Sequence, residues 1–385
     1  MQPESRFLPS LLAGQDSGHA GQAVWCRYCR LIFSYDFLWI SAHYETLTPG
    51  LNMNIRFLEA PALNIRNGNV VTSERWRSFF VSLGHRVESS SADGDERCDL
   101  LVVFNAYTNR QAVRDARKNA TAGRIAICLT GTDLYRDLQN DPSARDVLYL
   151  ADQLVVLQSK GIFALPPDLR GRTMVIFQSA VAPKVEIARE GGTFDVCAIA
   201  HLRAVKDPLL AARAARLLPL GSRIRILHIG KALSAEYARA AAREVEENPR
   251  FHWFGEQSAE RTAVILLGSR LLVMSSLLEG GANVVSEAVV SGIPVLGTDI
   301  PCMQGLLGDD YPGLFPVGDS HRLAELLYQA EVDSRYYGEL VTRCRQESYK
   351  FEPAKERESL RILIEKLFSD APSIALAGMA GEMHR

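Results

Sequence analysis

Glu279-Gly-Gly-Ala-Asn-Val-Val-Ser-Glu287 lies between two apolar runs, Leu271-Leu-Val-Met-Ser-Ser276 and Ile293-Pro-Val-Leu-Gly297. Each run reads as a buried parallel strand, because a strand covered on both faces is apolar along its whole length. The residues from Asn283 to Ser291 carry helical spacing, and Gly292 is placed to end the helix. Two carboxylates eight residues apart therefore bracket a glycine pair at a strand-to-helix junction. Eight residues is just over two helical turns, so Glu279 precedes the helix and Glu287 lies within it, roughly on one side. Gly280-Gly281 lets backbone N–H groups approach a ligand at a helix N-terminus, which suits a phosphate. Carboxylates there accept from sugar or ribose hydroxyls, so the whole describes a nucleotide-sugar site. Alone, two glutamates on a helix are an ordinary solvated face and Gly-Gly an ordinary turn. The setting decides otherwise: Glu287 is flanked by Val284, Val285, Ala288, Val289 and Val290, and a carboxylate in so apolar a helix needs a partner.

Outward from this junction, short apolar runs alternate with helical segments, which indicates doubly wound parallel α/β sheets. Strands are expected at Ile55–Leu58, Arg86–Glu88, Leu100–Phe104, Arg124–Leu129, Gln153–Leu157 and Met174–Phe177, with helices at Val71–Leu83, Arg110–Asn119, Ala144–Leu150 and Ser159–Leu165. Residues 181–193 hold Pro183, Gly191, Gly192 and alternating charges, the composition of a linker. A second series follows, with strands at Asp195–Ala200, Ile224–Ile229, Phe251–Phe254, Leu271–Met274, Val295–Leu296 and Leu314–Val317. Helices fit between them at Pro208–Leu218, Glu236–Glu247, Ala259–Leu267, Val284–Ser291 and Arg322–Ala330, and polar-faced helices run from Tyr336 to Phe368. The expected division is an extension over 1–52, one Rossmann-like domain over 53–190, a second over 191–350, and a helix and tail over 351–385.

The Glu-x7-Glu pattern in this setting resembles the donor site of family-4 retaining glycosyltransferases of the GT-B fold. The resemblance implies that Glu279 contacts the donor sugar and Glu287 the nucleotide ribose. It also implies that the last helix, over Ala354 to Phe368, crosses back to the first domain. After the first strand of the second domain comes His201-Leu-Arg203-Ala-Val-Lys206-Asp-Pro208. The family places a Gly-Arg-Leu run here with a lysine five residues after the arginine, both cations holding the leaving diphosphate. Lys206 falls on the lysine, His201 on the arginine, and Arg203 is displaced by two. Glu279, Lys206 and Arg203 are thus the implied catalytic set, with Gly280, Gly281, Ala282, Asn283, Glu287 and His201 holding the donor.

In the first domain, Leu129-Thr130-Gly131-Thr132-Asp133-Leu-Tyr-Arg136 follows a buried strand. Where many family members carry a histidine, Thr130 stands here. Thr132 and Asp133 are good N-cap types, so backbone N–H groups there are expected to capture an anion, or else the segment is simply a helix cap. The loop after the first strand, Asn64-Ile-Arg66-Asn-Gly68-Asn69, offers a glycine for close approach and an arginine for charge. The resemblance implies that these loops face the acceptor, which places Arg66, Gly68, Asn69, Thr130, Gly131, Thr132, Asp133 and Arg136 around it.

Longer stretches narrow the resemblance: Leu129 to Leu138, Ala200 to Pro208, Glu279 to Glu287, Gly308-Asp-Asp-Tyr-Pro-Gly313 and Phe315-Pro-Val-Gly-Asp319. Together they are similar to the selenosugar synthases of selenoneine biosynthesis, over residues 53 to about 368. This implies transfer of N-acetylglucosamine or glucose from a UDP-sugar to selenophosphate, with no cofactor and no metal. Selenium is a soft nucleophile that needs little or no general-base help, which accords with Thr130 in place of a histidine. An ordinary family-4 hexosyltransferase acting on a glycan, lipid or small thiol, and a non-catalytic nucleotide-sugar-binding protein, are the other readings.

The 385 residues are 47% apolar and 23% charged with a formal net charge of −2, an ordinary globular composition long enough for two domains. That balance argues against nucleic acid as a partner. Seven cysteines, at 26, 29, 98, 128, 197, 302 and 344, form no disulfide framework, which fits a reducing cytoplasm. Cys26-x-x-Cys29 has no second ligand pair to make a zinc site. No stable membrane association is expected, since the run from Leu31 to Ile40 is short and contains Asp36. Asn67-Gly-Asn69 after the first strand does not match Gly-x-Gly-x-x-Gly, which argues against an NAD enzyme. The first 52 residues lack clear periodicity and are expected to be dispensable, with Met53 opening the first strand.

Overall fold

Among the described residues, twelve short strands, all paired in parallel, build two sheets. The computed structural model describes residues 52–59, 68–89, 97–183, 187 and 191–369, which belong to the unit Thr48–Arg385. The expected extension over 1–52, all but its last residue, and Arg66 lie outside the described residues.

The first sheet contains β1 (Asn54–Leu58), β2 (Arg86–Ser89), β3 (Cys98–Phe104), β4 (Ala122–Leu129), β5 (Gln153–Val156) and β6 (Thr173–Val175), in the order β2-β1-β3-β4-β5-β6. The second contains β7 (Phe194–Ile199), β8 (Ile224–Ile229), β9 (Phe251–Trp253), β10 (Leu271–Met274), β11 (Val295–Thr298) and β12 (Leu314–Phe315), in the order β12-β11-β10-β7-β8-β9. The central strands are buried nearly throughout, which is why they read as continuous apolar runs. Both orders reverse direction once: between β1 and β3 in the first sheet, and between β7 and β10 in the second. Open parallel sheets bind ligands in the crevice beyond the carboxyl ends of the strands at such a reversal. The architecture is the GT-B fold, two Rossmann-like α/β domains.

Every strand read from the sequence is present, with ends shifted by a residue or two. Among helices the sequence reading needs correction at several places, three of which follow. Residues Ser159–Ala164 form a 3-10 helix held by Gln158, whose side chain accepts from the Lys160 and Gly161 amides. The segment Ala144–Leu150 shortens to a helix over Asp146–Tyr149, preceded by a 3-10 turn over Pro142–Ala144. A helix over Pro301–Leu307, opened by proline at its first position, had not been expected.

The helices that position the site are α1 (Gly68–Ser82), α2 (Leu210–Arg216), α3 (Asn283–Val290) and α4 (Pro353–Phe368). Trp76, Phe79 and Phe80 of α1, at helical spacing, cover one face of the first sheet. Leu360, Leu363, Ile364 and Leu367 of α4 complete the same core, so the final helix crosses back onto the first domain. Burial of each such side chain stabilises by about 1.5–3 kcal/mol. Among the described residues no helix is long and apolar enough to cross a membrane.

One buried charge fixes this crossing. Glu356, 1% exposed in the first turn of α4, accepts from Arg75 Nε at 2.7 Å, Trp76 Nε1 at 2.8 Å, Ser179 N at 2.8 Å, Arg75 Nη2 at 3.2 Å and the Ser179 hydroxyl. All these donors belong to the first sheet's side of the molecule. A buried carboxylate is tolerated only when so fully paired. Glu356→Ala leaves the Arg75 guanidinium and two buried N–H groups without their partner, and should lower the unfolding free energy by about 3–5 kcal/mol. Urea unfolding of the full chain checks this; a loss below about 1 kcal/mol, the scale of a surface pair, would contradict it.

Candidate active site

At the reversal of the second sheet, the loops after β7 and β10 are bonded to one another. Leu277 N donates to Val205 O at 2.9 Å, and the Ser275 hydroxyl donates to the carbonyls of Lys206 and Asp207 at 2.9 and 3.0 Å. Asp207 holds a left-handed backbone, φ 37°, uncommon outside glycine, and Arg213 of α2 grips both its carboxylate oxygens at 2.9 Å. This frame brings Lys206 Nζ onto Glu279 Oε1 as an ion pair. Ser276 Oγ donates to the same oxygen at 2.7 Å, and Thr298 fixes Ser276 through its carbonyl at 2.6 Å. The pair is mostly buried, with side-chain exposures of 20% for Lys206 and 12% for Glu279. Low dielectric strengthens its attraction and raises the cost of leaving either charge alone.

Helix α3 begins just beyond. Its cap is Ala282, whose side chain offers no acceptor, so among the described residues the first N–H groups of α3 have no side-chain cap. Gly280 and Gly281 lie against the first domain. A Cβ on Gly280 would stand 2.5 Å from Thr130 C and 2.6 Å from Gly131 N; one on Gly131 would stand 2.8 Å from Gly280 N. A Cβ on Gly281 would meet Gln178 Oε1 at 2.5 Å and Leu157 Cβ at 2.7 Å. The two domains therefore touch backbone to backbone, which only glycine permits.

Residues 184–351 match the glycosyl transferases group 1 family. Solved structures with the same fold include HepE of Anabaena in complex with UDP and glucose, at 15% identity and a TM-score of 0.64, covering 81% of this chain and 99% of that one. Sucrose-phosphate synthase of Thermosynechococcus elongatus aligns at 14% identity and a TM-score of 0.69, covering 82% and 99%. A glycosyltransferase of Rickettsia africae aligns at 9% identity and a TM-score of 0.66, covering 83% and 99%. No curated protein matches the chain in sequence. The chain has the GT-B fold, and its residues 184–351 carry the match to the glycosyl transferases group 1 family.

Of the residues expected around the transferase site, the structure joins Lys206 with Glu279, Gly280 with Thr130 and Gly131, and Asn283 with Gly68. Glu287 lies one turn after Asn283 on the same helix. Others are placed differently. Arg203 is exposed and makes no ion pair among the described residues. His201 Nδ1 accepts from Lys231 N at 3.1 Å, which ties its loop to the one after β8. Arg136 is exposed and pairs with its neighbour Asp137 at 2.8 Å. Asn69 takes the second position of α1.

The anion-capturing cap expected at Thr132 and Asp133 is not present. Thr132 is helical, φ −70°, its side chain caps nothing, and Asp133 opens a π-helical turn, fully buried. One Asp133 oxygen accepts from Thr130 N at 2.8 Å and Thr130 Oγ1 at 2.9 Å; the other accepts from Ala106 N at 2.8 Å. Asp133 thus ties the end of β4 to the end of β3 and consumes the Thr130 N–H that an anion would have used. Burial pushes its carboxyl up to about 7, against the pull of those hydrogen bonds. Asn105, with φ 66°, reaches Thr130 Oγ1 at 3.2 Å from the β3 side.

Sequence reasoning missed Arg75, Thr72, Gln178, Ser276 and Glu356. Ser276 bonds to Glu279 three residues on, but the others have partners far along the chain, up to 281 positions for Arg75 and Glu356, and no local pattern marks them.

Beneath the His201–Lys206 loop, His228 of β8 is 1% exposed and its Nε2 contacts Ala200 O at 3.0 Å, so Nε2 carries the hydrogen and Nδ1 is left without a partner. Burial pushes its pKa down to about 4. Its folded value lies below the unfolded value, so the unfolded chain binds the extra proton as pH falls. Stability should therefore be full above about pH 6.5 and decline towards pH 4, by up to roughly 3 kcal/mol from this group. Denaturant unfolding at several pH values should show a shallower acid loss in His228→Phe than in the native chain; identical slopes would contradict the assignment.

Proposed function

We propose that this enzyme transfers a hexosyl group, N-acetylglucosamine or glucose, from a UDP-sugar to selenophosphate. The observation that carries the reading is the Lys206–Glu279 pair at the β7/β10 reversal, beside a helix start that no side chain caps. In this reading the diphosphate takes Lys206 and the first N–H groups of α3, whose partial positive charge offsets the charge that builds as UDP leaves. Glu279, released from Lys206, accepts from hydroxyls of the transferred sugar. Glu287, on α3, holds the ribose. The anomeric C–O bond to UDP breaks as a C–Se bond forms, the bonding electrons leaving with UDP. HepE, at 14–15% identity, is solved with UDP and glucose and with UDP-glucose, which supports a UDP-sugar donor.

Selenophosphate rests on the sequence stretches that resemble selenosugar synthases and on the chemistry opposite Gly280. There the Thr130 hydroxyl already donates to Asp133, and among the described residues its side-chain hydrogen-bond partners, Asn105 and Asp133, include no histidine to serve as general base. A soft anionic nucleophile suits such a wall. A reducing cytoplasm would keep it reactive, and the buried thiols Cys98, Cys128, Cys197, Cys302 and Cys344 are all free. One observation favours a second reading, transfer to a neutral acceptor: the Thr130 N–H is bonded to Asp133 and does not offer itself to an anion.

Incubation with UDP-N-acetylglucosamine or UDP-glucose and selenophosphate should release UDP and give a hexose carrying the selenium isotope pattern by mass spectrometry. UDP release with a neutral alcohol or thiol acceptor, and none with selenophosphate, would support the second reading instead.

A further inference from the structure

Asn283, expected to hold the donor, spends its whole side chain on the other domain. Its Oδ1 accepts from Arg75 Nη2 at 3.1 Å. Its Nδ2 donates to Gly68 O at 3.1 Å and to Thr72 Oγ1 at 3.3 Å. Thr72 Oγ1 in turn donates to Gly68 O at 2.8 Å and accepts from Gln178 Nε2 at 2.5 Å. These bonds fix the orientation of both amides: reversing Asn283 would set its NH2 group against the Arg75 guanidinium and its oxygen against Gly68 O. They also leave Gln178 Oε1, on a 4% exposed side chain, without a partner and turned to Gly281.

Arg75 is the centre of this arrangement. Glu356 holds its Nε and one side of Nη2, so the guanidinium is locked in place before it reaches Asn283. Asn283 is the first residue of α3 and Glu287 follows one turn later on the same face. We infer that the chain Glu356–Arg75–Asn283 is a positioning device: it seats the start of α3, and with it Glu287 and the Gly280-Gly281 loop, against the first domain in the geometry that transfer requires. Arg75 and Asn283 are positioning residues, with no contact to the donor. The inference rests on the proposed donor site for its consequence in turnover, and not for the latch itself.

Three variants test it: Asn283→Ala, Arg75→Lys and the double variant. All keep a cation or other donors on Glu356, so each should fold, which circular dichroism checks. Displacement of reacting groups by about 1 Å costs on the order of a hundredfold in rate, so kcat should fall roughly ten- to hundredfold in each single variant. The Kd for UDP, held by the second domain, should stay within about twofold, which is under half a kcal/mol. Because one connection is cut in all three, the double variant should be no slower than the slower single. Backbone hydrogen exchange gives a readout free of the reaction: the first turns of α1 and α3 should both exchange faster in Asn283→Ala. Unchanged exchange in α1 overturns the latch, whatever the donor. Equal losses of kcat and UDP affinity in Asn283→Ala, or additive losses in the double variant, overturn the positioning role. A native chain that turns over no UDP-sugar sinks the proposed function and leaves the exchange test of the latch standing.

Discussion

Gly131 and Gly280 meet with no side chain between them, and most of the site's geometry follows from that contact. A single methyl on either would stand within 2.8 Å of opposing backbone, a distance that real Cβ atoms essentially never adopt. Backbone cannot swing aside as a lysine tip can, so the loops would have to part. Their closeness is what lets Asn283 reach Gly68 and Thr72, what sets Gly281 on Gln178 and Leu157, and what puts the Thr130 wall directly opposite the Glu279 loop. Gly280-Gly281 thus serves two ends at once. It lets the second domain lie against the first, and it bares the backbone at the start of a helix, where the proposed reading seats the diphosphate.

Buried charge is handled in three distinct ways around this contact. Glu356 is saturated by five donors and acts as a structural anchor. Asp133 is equally buried but meets only neutral donors, and its carboxyl rises to about 7, the mark of a group whose burial outweighs its hydrogen bonds. Lys206 and Glu279 satisfy each other. Of the three only this last arrangement is suited to exchange: in the proposed reading an incoming diphosphate and sugar hydroxyls would replace each partner with an equivalent one. A ligand without both an anion and hydroxyls would strand one of the two charges in a poorly solvated place.

The sheets were legible in the sequence because strands buried on both faces are apolar throughout: Leu100–Phe104 and Leu271–Met274 admit no other reading. The Glu279–Glu287 junction was legible because a glycine pair, a following apolar helix and a carboxylate within that helix rarely coincide. Lys206 was implied by the resemblance, since it falls on the family's lysine, and the structure sets it on Glu279. The first-domain wall was misread for a physical reason. Aspartate at a strand end is equally suited to capping the next helix and to tying neighbouring strands together, and only the position of Ala106 N decides between them. Arg75, Thr72 and Glu356 left no local signal, since their roles exist only after three distant segments have met. The same holds for the 3-10 turn at Ser159, whose spacing is that of a helix but whose register Gln158 sets.

The account stands on a division of labour between two carboxylates on either side of one helix start. Calorimetry with UDP and with a UDP-sugar, on Glu279→Ala and on Glu287→Ala, tests it most directly. Loss of a charged hydrogen-bond acceptor costs about 1.5–3 kcal/mol, roughly tenfold or more in affinity. Glu287→Ala should weaken both ligands alike, because both carry the ribose; Glu279→Ala should weaken the UDP-sugar and spare UDP. Equal loss of UDP affinity in the two variants, or no change in either while both remain folded, would contradict the account.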